Sequence, residues 1–389
     1  MNKNKEKVPK IRFPGFTEPW EQRKLGDVVS YIVDNRGKNP TYYCSEGIPV
    51  IDNFMIKNTL YPELGTATRF IDEELYQNFI RKYNEIDDIL LTLVGNGIGN
   101  ISLFPADKAV IIQNTLGLRT DENKRFLFFL LMSKNQEIVK LDRGMAQPSI
   151  RQDEILDISI KIPKMEEQEK IGTYFSNLDN LITLHQRKLN HLKDKKKGLL
   201  QKMFPKNGEL VPELRFPEFT DPWEQRKLGD MCDEFKSGSS ILAKDICEQG
   251  EYPVYGGNGL RGYTATYNHD GIYALIGRQG ALCGNMNKVY GKAYFTEHAV
   301  AVKANKNNNT DFLFFLLDKM NLRQYSGQSA QPGLAVNKLI ELITLVPNCS
   351  EQKLIGIFFN KLDNLITLHQ RKLDHLKEQK KALLQQMFI

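Results

Sequence analysis

The sequence predicts an α+β fold made of two copies of one unit, each a mixed globular part followed by a long helix. Three observations lead there. Residues 8–28, VPKIRFPGFTEPWEQRKLGDV, return as residues 211–231, VPELRFPEFTDPWEQRKLGDM, with 16 of 21 positions identical at an offset of 203. Residues 167–204 return as residues 351–388, with 27 of 38 positions identical at an offset of 184. Apolar positions in both of these later segments recur in steps of three and four, the pattern of a helix with one buried seam. At 389 residues the chain has room for two or three domains.

Each copy opens on the FPxFTxPWEQRKLGD segment, at 13–27 and 216–230. The copies then diverge, and 29–140 and 232–320 share only a skeleton. Gly95-Asn96-Gly97-Ile98-Gly99-Asn100 stands where the second copy has Gly277-Arg278-Gln279-Gly280-Ala281-Leu282-Cys283-Gly284-Asn285. The run FLFFLL occurs at 126–131 and 312–317, and Ala146-Gln147-Pro148 matches Ala330-Gln331-Pro332. A strand-like run follows, ILDISIKIP at 155–163 against LIELITLVP at 339–347. Short strands are expected at 89–94, 109–113, 156–162, 272–276, 298–303 and 341–346, and helices at 123–134 and 309–320. The first globular part is the longer by 19 residues, the difference between the two offsets. A fixed frame holding two unlike inserts suits two related but non-identical recognition tasks.

The long helix of the first copy should run over 167–204 and stop before Pro205-Lys206-Asn207-Gly208. Its seam is Phe175, Leu178, Ile182, His185, Leu189, Leu192, Lys196, Leu199 and Met203. The second copy repeats it as Phe359, Leu362, Ile366, His369, Leu373, Leu376, Lys380, Leu383 and Met387. A matched seam suits two helices packed on each other; the plainer alternative is that each helix packs only on its own globular part. His185 and His369 read as polar residues that specify register at some cost in stability. Lys196 and Lys380 are expected to run their stems along the seam and leave the charge at its edge. Helices of 27–38 residues span roughly 40–57 Å. The linker 205–211 reaches at most about 25 Å. A parallel pair would need a full helix length of linker, so pairing within the chain must be antiparallel, with an approximate two-fold axis. The expected divisions are 1–164, a first globular part; 165–205, a helix; 206–348, a second globular part; and 349–389, a helix.

Lys and Arg number 53 against 47 Asp and Glu, a net charge of +6. This permits a nucleic-acid partner without demanding one, since ordinary basic proteins carry the same balance. Cys44, Cys232, Cys247, Cys283 and Cys349 are odd in number and show no CxxC spacing, so neither a disulfide framework nor a zinc site is expected. The polar start MNKNKEKVPK lacks a signal core, and no apolar run approaches the length of a membrane span, so a cytoplasmic location is expected.

No catalytic constellation is evident. Gly95-Asn96-Gly97-Ile98-Gly99 has the look of a cofactor loop, but a strand-like run follows it where phosphate binding needs a helix. Asn39-Pro40-Thr41-Tyr42 is close to the NPPY loop of amino-methyltransferases and lacks the second Pro. Of the six His, His185, His191, His369 and His375 have spacings set by the repeat; His269 and His298 are the others. No catalytic, cofactor-binding or metal-ligating residue is assigned. Binding chemistry can sit on the polar loops of the inserts: Asn35, Arg36, Lys38 and Asn96 in the first, and Asn258, Arg261, Arg278 and Gln279 in the second. Arg pairs bidentately with guanine and Asn or Gln with adenine in the major groove. Loops of this kind are more often merely solvated.

The duplicated half, the repeated opening, the AQP followed by a strand ending in Pro, and EEQEKIGTYFSNLDNLITLHQRKL at 166–189 with its copy from Glu351 together resemble a known family. It is the specificity subunit of type I restriction–modification systems, and the resemblance covers essentially the whole chain. It implies two target recognition domains joined by two antiparallel spacer helices, each domain reading one half of a gapped DNA sequence while the helices set the gap. Half-sites one turn of B-DNA apart lie about 34–36 Å centre to centre, compatible with the helix lengths above. The resemblance further implies a non-catalytic subunit with double-stranded DNA, two methyltransferase (modification) subunits and motor–nuclease (restriction) subunits as partners. Those partners would use S-adenosylmethionine, ATP and magnesium to methylate adenine and cleave unmodified DNA. The reading from a different class is a two-armed scaffold that binds proteins only; a steep salt dependence of DNA binding would separate the two.

Overall fold

A computed structural model describes residues 8–37, 40–112, 114–144, 146–206, 208–327 and 333–388. The chain divides into two compact units, Met1–Gln186 with Arg371–Ile389, and Arg187–Gln370. In chain order the first unit contains β1 (Glu21–Lys24), β2 (Val29–Val33), β3 (Ile48–Pro49), β4 (Phe70–Ile71), α1 (Glu73–Asn78), β5 (Ile89–Thr92), β6 (Ile101–Leu103), β7 (Thr115–Thr120), α2 (Lys124–Ser133), α3 (Asn135–Val139), α4 (Gln152–Leu156) and β8 (Ser159–Ile162). The long helix α5 (Met165–Lys202) begins in this unit and ends in the second. Next come β9 (Glu224–Lys227), β10 (Cys232–Ser237), β11 (Tyr252–Gly256), β12 (Gly259–Thr264), β13 (His269–Gly277), β14 (Met286–Phe295), β15 (Ala299–Ala304), α6 (Thr310–Lys319), α7 (Val336–Ile340) and β16 (Ile343–Val346). The last helix, α8 (Cys349–Met387), begins in the second unit and ends in the first.

The fold is α+β, as the pattern of elements predicts. The first unit has a four-stranded antiparallel sheet ordered β2-β7-β5-β6. The second has the same four-strand order, β10-β15-β13-β14, extended by the hairpin β11–β12 through a parallel β14–β11 pairing. In both, FLFFLL forms a helix whose six apolar residues are all buried, so α2 and α6 lie in the core rather than on its surface. Asn123 and Asn309 cap them by accepting the N–H of Phe126 and Phe312. Of the strand expected at 109–113, the described residues 109–112 form a buried connector instead, with a parallel bridge between Val50 and Val110 and the Ile111 carbonyl accepting from Asn35. Its apolar run reflects burial without a ladder.

The matched frame segments lock to each other within each unit. Arg12 donates to both carboxylate oxygens of Glu167, at 2.7 and 2.8 Å. Arg215 does the same to Glu351, at 2.8 Å twice. The adjacent Gln168 accepts the Asn123 N–H at 3.1 Å and donates to the Pro163 carbonyl at 3.0 Å. Gln352 repeats this with Asn309 and Pro347. The repeated Glu-Gln pair thus ties the start of each long helix to the opening segment and to the start of the core helix. Gly172 and Gly356 permit that approach. A Cβ at Gly356 would stand 2.8 Å from Asn309 Oδ1 and 2.9 Å from Asp311 Cβ, whereas Gly198 has open space around it. Gly356→Ala is therefore expected to cost about 1–3 kcal/mol by overpacking, despite alanine's better helix propensity. Gly198→Ala should stabilise by about 0.5–1 kcal/mol, as propensity alone dictates. Urea unfolding of the two variants checks the opposite signs.

Within each unit the two long helices run antiparallel. In the first, Phe388 at the end of α8 packs 5.7 Å from Phe175 near the start of α5, and also against Trp20 and Phe126. In the second, Phe204 at the end of α5 meets Phe359 at 6.4 Å near the start of α8, and packs on Trp223 and Phe312. Phe204 is expected as helix; the helix ends two residues earlier because Met203 and Phe204 turn into this core. Phe175, Leu178, Leu189, Met203, Phe359, Leu362, Leu373, Leu376 and Met387 are buried, and the remaining seam positions named above are half-buried. The seam lysines do more than place a charge at the edge. Lys380 pairs with Asp179 at 2.6 Å under the face of Phe129, and Lys196 with Asp363 at 2.6 Å under Phe315. Burial pushes the Asp179 carboxyl above its ordinary value, outweighing the pull of Lys380.

Candidate nucleic-acid interface

In the first unit, β5 and β6 are joined by the glycine turn. Gly95, Gly97 and Gly99 have φ of +86°, +87° and +78°, which glycine adopts at no steric cost. The turn runs from strand to strand with no helix after it, so it lacks the amide cradle of a phosphate-binding loop. Two other segments are drawn to it. Residues 53–58 are held by their amides: Asn53 Nδ2 donates to the Val94 carbonyl at 2.6 Å, Asn100 Nδ2 to Ile56 at 3.1 Å, and Asn58 Nδ2 to Asn100 Oδ1 at 3.0 Å. The segment after Ala146 is held by the Gly95 N–H, which donates to Pro148 at 2.9 Å, and by a Val94–Ser149 bridge. Asp142 accepts the N–H groups of Gly144 and Ser149, which keeps its carboxyl below the usual range and stiffens the loop carrying Gln147. Between these segments lies a cleft of about 570 Å³, lined among others by Asn53, Phe54, Lys57, Asn96, Asn114 and Gln147.

Of the residues expected here from sequence, Asn96 is exposed in the cleft. Asn35 is not available: it is 9% exposed, its Nδ2 donates to the carbonyls of Lys82 and Ile111, and its Oδ1 accepts the Lys82 N–H. Arg36 is likewise spent, donating to both oxygens of Asp34 and to Gln152; it holds the Asp34 carboxyl below its ordinary value. Both residues build the loop rather than offer groups to a ligand. Lys38 and Asn39 lie outside the described residues.

In the second unit the expected residues converge on one end of the six-stranded sheet. Asn258 is exposed at the β11–β12 turn. Arg261, on β12, lies with its stem against Gly256, where a Cβ would stand 2.7 Å from its Cδ. Arg278 and Gln279 follow β13. The Arg278 N–H donates to His298 at 2.9 Å, its carbonyl accepts from Leu334, and Gln279 bridges Gly333. A Cβ at Gly257 would stand 2.9 Å from the His298 carbonyl, so the hairpin turn abuts the Arg278 turn. Both units therefore present the turn after a central strand, laced to the segment that follows Ala-Gln-Pro. Asn53, Phe54, Lys57 and Gln147 escaped the sequence reading. The repeated Ala-Gln-Pro signalled a frame position, and nothing local in 53–57 signals a site. Among the described residues no three His, Cys, Asp or Glu side chains gather as a metal site. The chemistry offered is hydrogen bonding by amides and guanidinium groups with cationic support.

The family model for the type I restriction modification DNA specificity domain matches the chain twice, over residues 17–194 and 220–378. The type I restriction enzyme EcoprrI specificity subunit of Escherichia coli is 45% identical over 156 residues, a match that spans 39% of each chain. The type I restriction enzyme MjaVIII specificity subunit of Methanocaldococcus jannaschii is 23% identical over 94% of this chain and 91% of its own. A crystal structure of a type I restriction–modification system S subunit from M. genitalium has the same fold, with a TM-score of 0.74 at 17% identity over 98% of this chain and 99% of that one.

Proposed function

The chain belongs to the type I restriction modification DNA specificity family, whose part in a restriction–modification system is to recognise DNA sequence, and on that premise we propose how it does so. Each unit reads one half of a bipartite site, and the long helices set the gap between the halves. The observation that carries this reading is the repeated frame holding two unlike polar turns, amide-rich in the first unit and arginine-bearing in the second. Phosphate contacts position such a protein on the duplex, and base-edge contacts from the turns supply sequence information. The chain's role is specificity rather than catalysis. Methylation and cleavage belong to two modification subunits and to motor–nuclease restriction subunits, which use S-adenosylmethionine, ATP and magnesium. The target adenine has to leave the stack for methylation, and that too is the partner's work.

The outer faces of the helices support partner docking. Leu181 and Leu184 on α5 and their counterparts Leu365 and Leu368 on α8 are all exposed, two leucines one turn apart on each helix that a partner surface can cover. The compartment that suits this role is the cytoplasm, and among the described residues no helix is long and apolar enough to cross a membrane.

Exchanging residues 29–145 for another insert should change one half of the methylated sequence and leave the other half and the gap intact. Base-resolved mapping of methylated adenines in a host carrying the exchanged chain reads this directly. A change in both halves, or in neither, rules out the two-reader scheme.

A further inference from the structure

We infer that the cleft beside the glycine turn of the first unit is where that unit reads base edges, with Asn96 and Gln147 as the reading amides and Lys57 as a phosphate contact. This rests on the DNA-recognition reading above and locates it on particular side chains. The amides of the cleft differ in what they can offer. Asn53 and Asn100 line the wall and, with the neighbouring Asn58, are committed to backbone or to one another, while Asn114 lines it half-buried. Asn96 and Gln147 are exposed, line the cleft, and have no side-chain hydrogen-bond partner among the described residues. A primary amide presents one donor and one acceptor side by side, matching N7 and the N6 amino group of adenine in the major groove and no other base as well.

Three features favour a duplex as the occupant. The nearby acid Asp52 is taken by Arg69, which leaves Lys57 as an exposed cation on the rim. Phe54 is 46% exposed beside it, an apolar surface of the kind that contacts a thymine methyl. The backbone on either side of the cleft is also held in advance. Three positive-φ glycines shape the turn, a Cβ at Gly95 would stand 3.3 Å from Gln147 Nε2, and Asp142 and the Val94–Ser149 bridge fix the opposite loop. Little loop-ordering entropy is then lost on binding. The unit should accordingly demand an A·T pair at the position facing these amides.

The test uses the full chain purified with its modification subunits, and duplexes carrying the recognised site and each single base-pair substitution of it. Asn96→Ala and Gln147→Ala should relax discrimination at one A·T pair by about 5- to 150-fold. That pair should lie in the half-site that exchange of 29–145 alters, with the other half unaffected. Lys57→Ala should weaken all duplexes alike and lower the slope of log affinity against log salt by about 1. Asn96→Asp and Gln147→Glu keep the shape, remove the donor and leave exposed positions exposed, so they cover the case in which the alanine variants fold poorly. Wild-type discrimination at every base pair in variants of unchanged thermal stability overturns the inference. If exchange of 29–145 still alters that half-site, the recognition reading stands without it; if the exchange alters nothing, the reading itself falls.

Discussion

Glu351→Ala is expected to cost about 3–5 kcal/mol of stability, because it strands Arg215 in a site with little access to water. The pair is bidentate, with the Arg215 side chain 10% exposed and the Glu351 side chain fully buried. An arginine keeps its charge at any working pH, so this guanidinium cannot shed it to relieve the loss. Removing both charges with volume kept, as in Arg215→Met with Glu351→Leu, should cost much less than the single change, since a buried ion pair roughly breaks even against apolar packing. Urea unfolding of the two variants measures the difference. A Glu351→Ala midpoint close to wild type would mean that water reaches the site. The frame predicts the same outcome for Glu167→Ala, which strands Arg12.

Lys380→Met should be nearly as damaging at neutral pH, with a cost of about 3–5 kcal/mol that shrinks as the solution is acidified. Asp179 is buried in the seam, and Lys380 is its one hydrogen-bonded cation among the described residues. Its carboxyl already lies above its ordinary value with the lysine in place, because desolvation outweighs the attraction. A carboxyl with a raised pKa in the folded state binds more protons folded than unfolded. Its cost to stability is therefore absent below the unfolded pKa, grows as pH rises from there, and is complete above the folded pKa. Without Lys380 the folded pKa moves higher still. The variant should recover stability relative to wild type as pH is lowered from neutral, and thermal melts across that range follow the recovery. A pH-independent deficit would assign the loss to packing of the methionine. The pair as a whole adds little net stability, since desolvation of Asp179 offsets the attraction; removing Lys380 alone is costly because it leaves that carboxylate unpaired.

The difference between what could be read early and what could not shows in single residues. Phe175, Leu189, Phe359 and Leu373 are legible as seam because burial on a helix follows a local period, and the period survives in the sequence whatever the rest of the fold does. Asn96 is legible as a turn residue between two strand-like runs. By residue type and loop position Asn35 and Arg36 are equally good ligand groups. What removes Asn35 is long-range, the carbonyls of Lys82 and Ile111; Arg36 is held by its near neighbour Asp34 and, from far along the chain, by Gln152. Gln147 and Lys57 enter the cleft for the converse reason, because distant segments are laced to the Gly95 turn.

The sequence by itself determined the duplication, the α+β class, the two long helices and, through a linker too short for a parallel pair, their antiparallel direction. Those properties rest on periodicity and chain reach, which are written locally. Only the tertiary structure decided that the repeated Glu-Gln pair locks each helix to its opening segment, that the seam lysines end on aspartates of the facing helix, and which polar side chains remain free to bind. Each of these depends on which hydrogen-bond partner, far along the chain, arrives at a given group, and no local pattern encodes that.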